Sequence, residues 1–187
     1  MNERESLARA IAEVALLRGT FTLRSGRTSS FYLDKYLFST RPELLRRLGP
    51  MFAERVRAMG ERAGVTISRL AGAELGGIPL VTVASLETGL PSVFVRNQKK
   101  DYGTSKQLEG VVNAGDVMVL VEDVATTGGQ AIEAVKVLRE AGARVLGVIA
   151  TIDRLEEVGG ARENIEGAGL VFESLFTIRD LGIETQS

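Results

Sequence analysis

The fold is decided by the stretch Val117-Met-Val-Leu-Val-Glu-Asp-Val-Ala-Thr-Thr-Gly-Gly-Gln130. It opens with a run of five apolar residues, which predicts a short buried strand. Two carboxylates, Glu122 and Asp123, follow, and the small-residue loop 125–129 then leads into an amphipathic helix. Small residues let backbone N–H groups close on an oxyanion, and the positive end of the helix dipole adds attraction. Because carboxylates accept hydrogen bonds from a diol, the stretch predicts a ribose 5-phosphate site.

The composition is that of an ordinary globular protein of one domain. The 187 residues are 44% hydrophobic and 25% charged, with a net charge of −1 and a pI near 5.7. That balance argues against a nucleic-acid surface, which carries a basic excess. The absence of cysteine and histidine excludes disulfides, thiolate chemistry and most zinc sites. With no apolar run of membrane-spanning length and no signal-peptide core, we expect a cytoplasmic protein without a membrane partner.

Strand-like and helical segments alternate from residue 65 onward, which is typical of a parallel sheet with helices on both faces. The predicted strands are 65–70, 92–95, 117–121, 145–152 and 170–176. The predicted helices are 5–18, one that begins at Pro42 and ends before Gly60, 77–88, 130–141 and about 161–166. Residues 20–38 predict two antiparallel strands, a small hood. We expect a single α/β domain over 1–187, with the hood in 1–40, the core in 41–187 and a flexible loop at about 97–112.

Three further strand ends carry residues suited to an anionic ligand, and ligands of such sheets bind beyond the carboxyl ends of the strands. Residues 71–77 form a second glycine-rich turn before a helix, suited to another phosphate group. Arg96 and a lysine-rich loop follow the next strand, and Asp153-Arg154 follow the fourth. Two oxyanion-binding turns, a diol binder and several cations at one edge fit a ribose that bears phosphate at one end and pyrophosphate at the other.

The order of an apolar run, an acidic pair and Thr-x-Gly-Gly resembles the 5-phosphoribosyl-1-pyrophosphate (PRPP) motif of type I phosphoribosyltransferases. Nearly the whole chain resembles the orotate phosphoribosyltransferase family, in the order and spacing of Phe21-Thr-Leu-Arg-Ser-Gly-Arg27, Ser30-Phe-Tyr32, the turn 72–79, Lys100-Asp-Tyr-Gly103 and Asp153-Arg154. The resemblance implies the type I fold: a central parallel sheet, flanking helices and a hood. It also implies transfer of the phosphoribosyl group from PRPP to orotate, with Mg²⁺ and with release of pyrophosphate, in pyrimidine synthesis.

The resemblance further implies a role for each site residue. The ribose hydroxyls would be held by Glu122 and Asp123. The 5-phosphate would lie on Ala125, Thr126, Thr127, Gly128, Gly129 and Gln130. The pyrophosphate would be contacted by Arg96, Lys99, Lys100 and Lys106. Orotate would be bound by Arg24, Phe31, Tyr32, Thr126 and Arg154. The implied catalytic residues are Arg96, Lys100 and Asp123, and no protein metal site is implied because PRPP itself would hold most of the Mg²⁺ contacts.

A homodimer with shared active sites is implied as well, because in the family the lysine-rich loop reaches the active site of the partner subunit. Three positions depart from the commoner family pattern. Asn97 stands where a second basic residue is usual, Gly76 where many members carry lysine, and Tyr102 where histidine is usual. Each departure removes a cation or a titratable group from the side of the leaving group.

Other interpretations stay open on the residues alone. A phosphoribosyltransferase for another base would keep the PRPP stretch but would not need Arg24 and Arg154 as a clamp for a carboxylate. A PRPP-binding regulator without turnover usually carries a nucleic-acid surface, which the acidic pI disfavours. A plain strand-to-helix turn, with threonine as cap and glycine for tightness, would explain 117–130 but not the other strand ends.

Overall fold

The computed structural model describes residues 2–22, 28–97, 107–156 and 158–183. The chain begins with helix α1 (Glu3–Ala15), the antiparallel strands β1 (Leu16–Thr22) and β2 (Thr28–Leu33), and the short helix α2 (Lys35–Ser39). α1 starts at a capping box, in which Asn2 and Glu5 each accept the other's backbone N–H. The predicted antiparallel pair of strands is confirmed, but the end of the predicted segment is wrong, because residues 35–39 form α2 and not strand.

The rest of the chain builds a six-stranded sheet covered by helices. Its elements in chain order are α3 (Pro42–Ala63), β3 (Arg69–Ala73), α4 (Gly77–Thr88), β4 (Ser92–Val95), β5 (Leu108–Glu109), β6 (Val117–Ala125), α5 (Gly129–Glu140), β7 (Arg144–Asp153), α6 (Ala161–Gly167) and β8 (Val171–Thr177). The strand order is β5-β4-β3-β6-β7-β8, and every pair is parallel except β4 with β5. The predicted α/β class and parallel central sheet are therefore confirmed.

The apolar run of β6 is buried on both faces of the sheet. Val119 and Val121 belong to the cluster formed with α1 to α4, whereas Met118 and Leu120 belong to the cluster formed with α5 and α6. Successive side chains of a strand point to opposite faces, so this alternation continues beyond the apolar run. It places the next two residues, which are acidic, on opposite sides of the sheet.

Two predicted helix ends are wrong because packing overrides the local pattern. The first helix ends at Ala15, short of residue 18, because Leu16 and Leu17 pair with β2. The third helix continues through Gly60 to Ala63 and ends at Gly64, whose φ is 63°. A Cβ at Gly60 would lie 3.0 Å from the carbonyl oxygen of Val65, so this glycine allows a close approach inside the helix.

Two strands also differ from the prediction. The strand expected at 65–70 begins only at Arg69, because the Val65 N–H donates to the Gly60 carbonyl and the chain first turns back from α3. The polar loop 97–112 contains the short strand β5, which pairs with β4, while residues 98–106 lie outside the described residues. Among the described helices, none has the length and apolar character needed to cross a membrane.

Candidate active site

The loop between β6 and α5 surrounds a small cavity at the carboxyl edge of the sheet. Its volume is about 100 Å³, and its walls are Glu122, Val124, Ala125, Thr126, Thr127, Gly128, Gly129, Gln130 and Ala131. The N-cap residue of α5 is Gly128, which has no side chain to cap the first turn. The Gly129 N–H makes a long contact of 3.5 Å with Thr127 Oγ1. The predicted phosphate loop thus combines N–H donors, a positive helix end and space for a small anion.

Helix α6 holds this loop in place. Asn164 Nδ2 donates to the Thr127 carbonyl at 2.9 Å. Gly128 has φ 75°, and a Cβ there would lie 2.8 Å from Ile165 Cδ1, so both its backbone angle and its contact require glycine. No sequence motif marks Asn164 and Ile165, because their role depends on how a later helix packs against the loop.

Glu122 lines the phosphate cavity, on the same side of the sheet as Leu120. It is buried, and its Oε1 accepts the Asp123 N–H at 3.0 Å. Burial, and then the charge of the neighbouring Asp123, raises the pKa of Glu122 to about 8. The raised pKa lowers the negative charge of this carboxyl, which weakens its repulsion toward a phosphate in the same cavity.

Asp123 points to the opposite face of the sheet, toward the hood and α4, and its exposed fraction is 1%. Its Oδ2 lies 2.9 Å from the Nζ of Lys35, the first residue of α2. Its Oδ1 accepts the Val124 N–H at 2.5 Å. The two carboxylates that the sequence presents as a pair therefore have different environments, and only Asp123 has an ion-pair partner among the described residues.

The second glycine-rich turn joins β3 to α4, and acidic groups face it. Glu74 Oε1 accepts the Asn97 N–H at 2.7 Å, so the side chain of this turn holds the end of β4. Arg96 Nη1 lies 3.7 Å from Glu109 Oε1, while its Nε has no hydrogen-bond partner among the described residues. Asn97, one of the three departures from the family pattern, thus joins this turn to the segment that follows β4 and contains Arg96.

Two residues expected at the pyrimidine come together. The guanidinium carbon of Arg154 lies 5.7 Å from the centre of the Phe31 ring, a cation–π contact. The Arg154 N–H donates to the Ala125 carbonyl at 3.0 Å, so this arginine is also joined to the phosphate loop. Tyr32 lies on the other face of β2, where its ring centre is 5.7 Å from that of Phe21. The structure therefore brings Phe31, rather than Tyr32, to Arg154.

Four expected site residues, Arg24, Lys99, Lys100 and Lys106, lie outside the described residues, as does Tyr102. Their assignments to orotate and to the pyrophosphate stay predictions.

The chain is similar in sequence to curated orotate phosphoribosyltransferases over most of its length. It is 48% identical to that of Natronomonas pharaonis over 163 residues, which is 87% of each chain. It is 40% identical to that of Pyrococcus abyssi, over 95% of this chain and 94% of the relative. No protein-family model matches the chain.

Solved structures lead to the same family. The orotate phosphoribosyltransferase of Mycobacterium tuberculosis H37Rv in complex with Fe(III) dicitrate superimposes with a TM-score of 0.81 at 30% identity, over 97% of this chain and 100% of that one. The same protein in complex with PRPP gives a TM-score of 0.75 over 97% of this chain and 100% of that chain. The orotate phosphoribosyltransferase of Aeropyrum pernix gives 0.77 at 31% identity, over 94% and 95%. Given these similarities and the site geometry, this chain belongs to the orotate phosphoribosyltransferase family.

Proposed function

We propose that this enzyme transfers the 5-phosphoribosyl group of PRPP to orotate, giving orotidine 5′-phosphate and pyrophosphate in pyrimidine synthesis. One structural observation supports the proposal independently of family membership. The backbone of Arg154, whose side chain faces an aromatic ring, is hydrogen-bonded to the phosphate loop at Ala125. A cation over an aromatic ring, fixed beside a phosphate cavity, suits a planar base with a carboxylate that must meet a phosphorylated ribose.

PRPP would lie across the carboxyl edge of β6. Its 5-phosphate would enter the cavity at 125–131 and accept hydrogen bonds from the first N–H groups of α5. Its ribose hydroxyls would donate to Glu122 and Asp123, the two acceptors next to that cavity. The raised pKa of Glu122 favours this arrangement, because it lowers the negative charge that an anionic ligand meets beside the cavity.

Orotate would lie between the hood and the end of β7. Phe31 offers an aromatic face, and Arg154 offers a guanidinium that can hold a carboxylate in a bidentate manner. Thr126, whose carbonyl accepts the Ala161 N–H at 2.9 Å, lies in the loop between the two ligands. Arg24 and Tyr32 are proposed as further orotate contacts on the resemblance alone.

The reaction would form a bond between an orotate ring nitrogen and C1 of the ribose while the bond from C1 to the pyrophosphate oxygen breaks. The electron pair of that bond leaves with the pyrophosphate, through a state that resembles an oxocarbenium ion. The proton of the orotate ring nitrogen would pass to the departing pyrophosphate. The main demand on the protein is to stabilise negative charge on the leaving group, and we assign this role to Arg96, Lys99, Lys100 and Lys106. Histidine is not required, because the ring nitrogen of anionic orotate needs little help from a strong base.

Mg²⁺ is the proposed cofactor, and it would supply positive charge to the phosphate oxygens of PRPP. Hard oxygen donors are the ligands that Mg²⁺ prefers, and the pyrophosphate and hydroxyl oxygens of PRPP would supply them. In the described residues no three carboxylates or other metal ligands come together. On the family resemblance, we propose that the pyrophosphate of PRPP carries most of the contacts to the ion.

A homodimer with shared sites and a cytoplasmic location are proposed on the resemblance and the composition. Lys100 would act on the PRPP of the partner subunit, whereas Asp123 would act on PRPP in its own subunit. Mixing inactive Lys100→Ala and Asp123→Asn subunits should then restore roughly a quarter of the parental activity, because about half of the dimers are mixed and each has one intact site. No recovery after verified subunit exchange would contradict a shared site, and recovery of the enzyme in a membrane fraction would contradict the location.

The proposed reaction is tested by the loss of orotate absorbance with PRPP and Mg²⁺. We expect one pyrophosphate released for each orotate consumed, no turnover of adenine or hypoxanthine, and no reaction after a chelator removes the metal. Turnover of a purine with orotate inert would show a phosphoribosyltransferase for another base. Tight PRPP binding with no base consumed would show a regulator.

A further inference from the structure

Lys35 is a cation of the site that no motif of the PRPP stretch predicts. It is the first residue of α2, the helix that follows the hood, and the side chain of Asp34 caps this helix through the Tyr36 N–H. Its ammonium lies 2.9 Å from Asp123 Oδ2 and 5.6 Å from the centre of the Tyr36 ring. One third of the side chain is exposed, against 1% for Asp123. The pair therefore lies where the buried core meets the solvent-exposed surface of the site.

The carboxylate of Asp123 is held from both ends. Oδ2 faces the Lys35 ammonium, and Oδ1 accepts the Val124 N–H. The group has little freedom to rotate between these contacts, so its remaining lone pairs have a fixed direction. A diol that donates to Asp123 would meet an acceptor whose orientation is set in advance, which lowers the entropic cost of binding.

Gly76 is part of the same arrangement. A Cβ at this position would lie 1.5 Å from Asp123 Oδ2 and 2.6 Å from Asp123 Cγ. Any side chain at 76 would therefore displace the carboxylate from Lys35. The glycine does not serve a left-handed backbone here, because its φ of −71° is open to every residue. Glycine is required at position 76 because the Asp123 carboxylate occupies the space that a Cβ would fill.

The charges around the pair also keep Lys35 in its protonated, positively charged form. Burial lowers the pKa of Lys35, but the attraction of the Asp123 carboxylate, followed by that of Glu122, outweighs this effect, and the net shift is upward. The lysine therefore stays charged in its partly buried place. A fixed ammonium beside Asp123 compensates a carboxylate that would otherwise repel the phosphates of an approaching PRPP.

We propose that Lys35 is a positioning residue of the transfer reaction, which fixes the Asp123 carboxylate for the ribose diol and offsets its charge toward PRPP, and that Gly76 provides the space for this pair. The inference rests on the proposed assignment of Asp123 to the ribose. It gives a function to a hood residue outside the assigned site and explains why a glycine occupies the α4 turn.

The test compares Lys35→Gln with Lys136→Gln, which removes a lysine that pairs with Glu133 on the exposed face of α5. PRPP affinity is measured by calorimetry with Mg²⁺, and the KM values for PRPP and orotate are measured in the same preparations. Losing a charge-assisted contact predicts PRPP binding weaker by roughly tenfold or more for Lys35→Gln, with the KM for orotate unchanged. Lys35→Arg should keep most of the affinity, and Lys136→Gln should match the parent.

A double-mutant cycle shows whether Lys35 acts through Asp123. Once Asp123→Asn has weakened PRPP binding, adding Lys35→Gln should cause no further loss. Separate, multiplying losses would overturn the positioning role, as would PRPP affinity in Lys35→Gln equal to that of Lys136→Gln. If Asp123→Asn itself leaves PRPP affinity unchanged, the assignment of the ribose site fails, and this inference fails with it. Should Lys35→Gln not fold, Lys35→Met keeps the apolar stem and is judged by the same outcomes.

Discussion

The turn between β6 and α5 and the turn between β3 and α4 have similar sequences but opposite surroundings. Both consist of small residues that lead from a buried strand into a helix at the same edge of the sheet. The first surrounds a cavity whose wall includes the uncapped start of α5. The second meets two carboxylates: Glu74 holds the Asn97 N–H, and Asp123 fills the space beside Gly76.

The difference shows that a glycine-rich sequence predicts the path of the backbone in a turn but does not predict the charge of the ligand that the turn binds. Side chains from other parts of the chain decide that charge. The α5 turn has the geometry expected of a site for a bare phosphate, and the raised pKa of its nearest carboxyl, Glu122, favours an anion there. The α4 turn can accept a phosphate group only together with cations, such as Lys35, Arg96 or a metal ion carried by the ligand.

The largest expected effect comes from Gly76→Ala at the α4 turn. The new Cβ would overlap Asp123 Oδ2, so the carboxylate must rotate away from Lys35 and from the ribose. We expect kcat/KM for PRPP to fall by about a hundredfold, the cost of losing charged hydrogen bonds of about 1.5–3 kcal/mol. Steady-state kinetics with varied PRPP measure this. Gly167→Ala is the control, since a Cβ at Gly167 meets nothing within 4 Å. Equal kcat/KM values in the two variants would contradict the claim that the α4 turn depends on the space beside Gly76.

A smaller effect is expected for Gly128→Ala at the α5 turn. Gly128 and Gly64 both have positive φ, 75° and 63°, so alanine costs each about 1–2 kcal/mol of stability. Only at Gly128 does the Cβ also press on Ile165 and shift the phosphate loop. PRPP affinity by calorimetry should fall by about tenfold in Gly128→Ala and stay at the parental value in Gly64→Ala. A parental affinity in both would show that the loop position does not matter for binding.

The smallest effect concerns the charge of Glu122 in the ligand-free protein. Its pKa is raised from 4.5 to about 8, so the folded state binds this proton more tightly than the unfolded state does. The resulting stability is complete below pH 4.5 and is lost as the pH rises through about 8. Glu122→Gln cannot ionise, so its Tm should rise relative to that of the parent as the pH increases from 5 to about 8 and stay at a constant difference above that. Exposed Glu54→Gln is the control, and a Tm difference in Glu122→Gln that stays constant over the whole pH range would contradict the raised pKa.

The sequence could predict the features that depend on local pattern. The apolar run of β6 indicated burial on both faces, and the glycines after it indicated a phosphate loop, which the cavity at 125–131 supports. The 3.6-residue and two-residue periods also gave the order of the strands and helices along the chain, and α4 was predicted with its observed bounds. These features are local because backbone geometry and side-chain period decide them.

The sequence could not predict which side chains meet across the fold. Lys35 and Asp123 are far apart in the chain, and the alternation of β6 separates Asp123 from Glu122 although they are adjacent. The local pattern predicts a helix end before Gly60, yet this glycine lies inside α3 because its small size lets Val65 approach. Likewise, Asn164 holds the phosphate loop from a helix without any motif. In each case a tertiary contact, which the local sequence pattern does not show, decides the position or the role of the residue.

The central claim is that the two turns receive opposite ends of one PRPP molecule, and a crystal structure with PRPP and Mg²⁺ tests it most directly. We predict the 5-phosphate in the cavity at 125–131, within hydrogen-bond distance of the N–H groups at the start of α5. The ribose hydroxyls should contact Asp123 while Lys35 remains beside it, and the pyrophosphate should lie on the side of Gly76 and Arg96. A pyrophosphate in the 125–131 cavity, with the 5-phosphate at Gly76, would contradict the account.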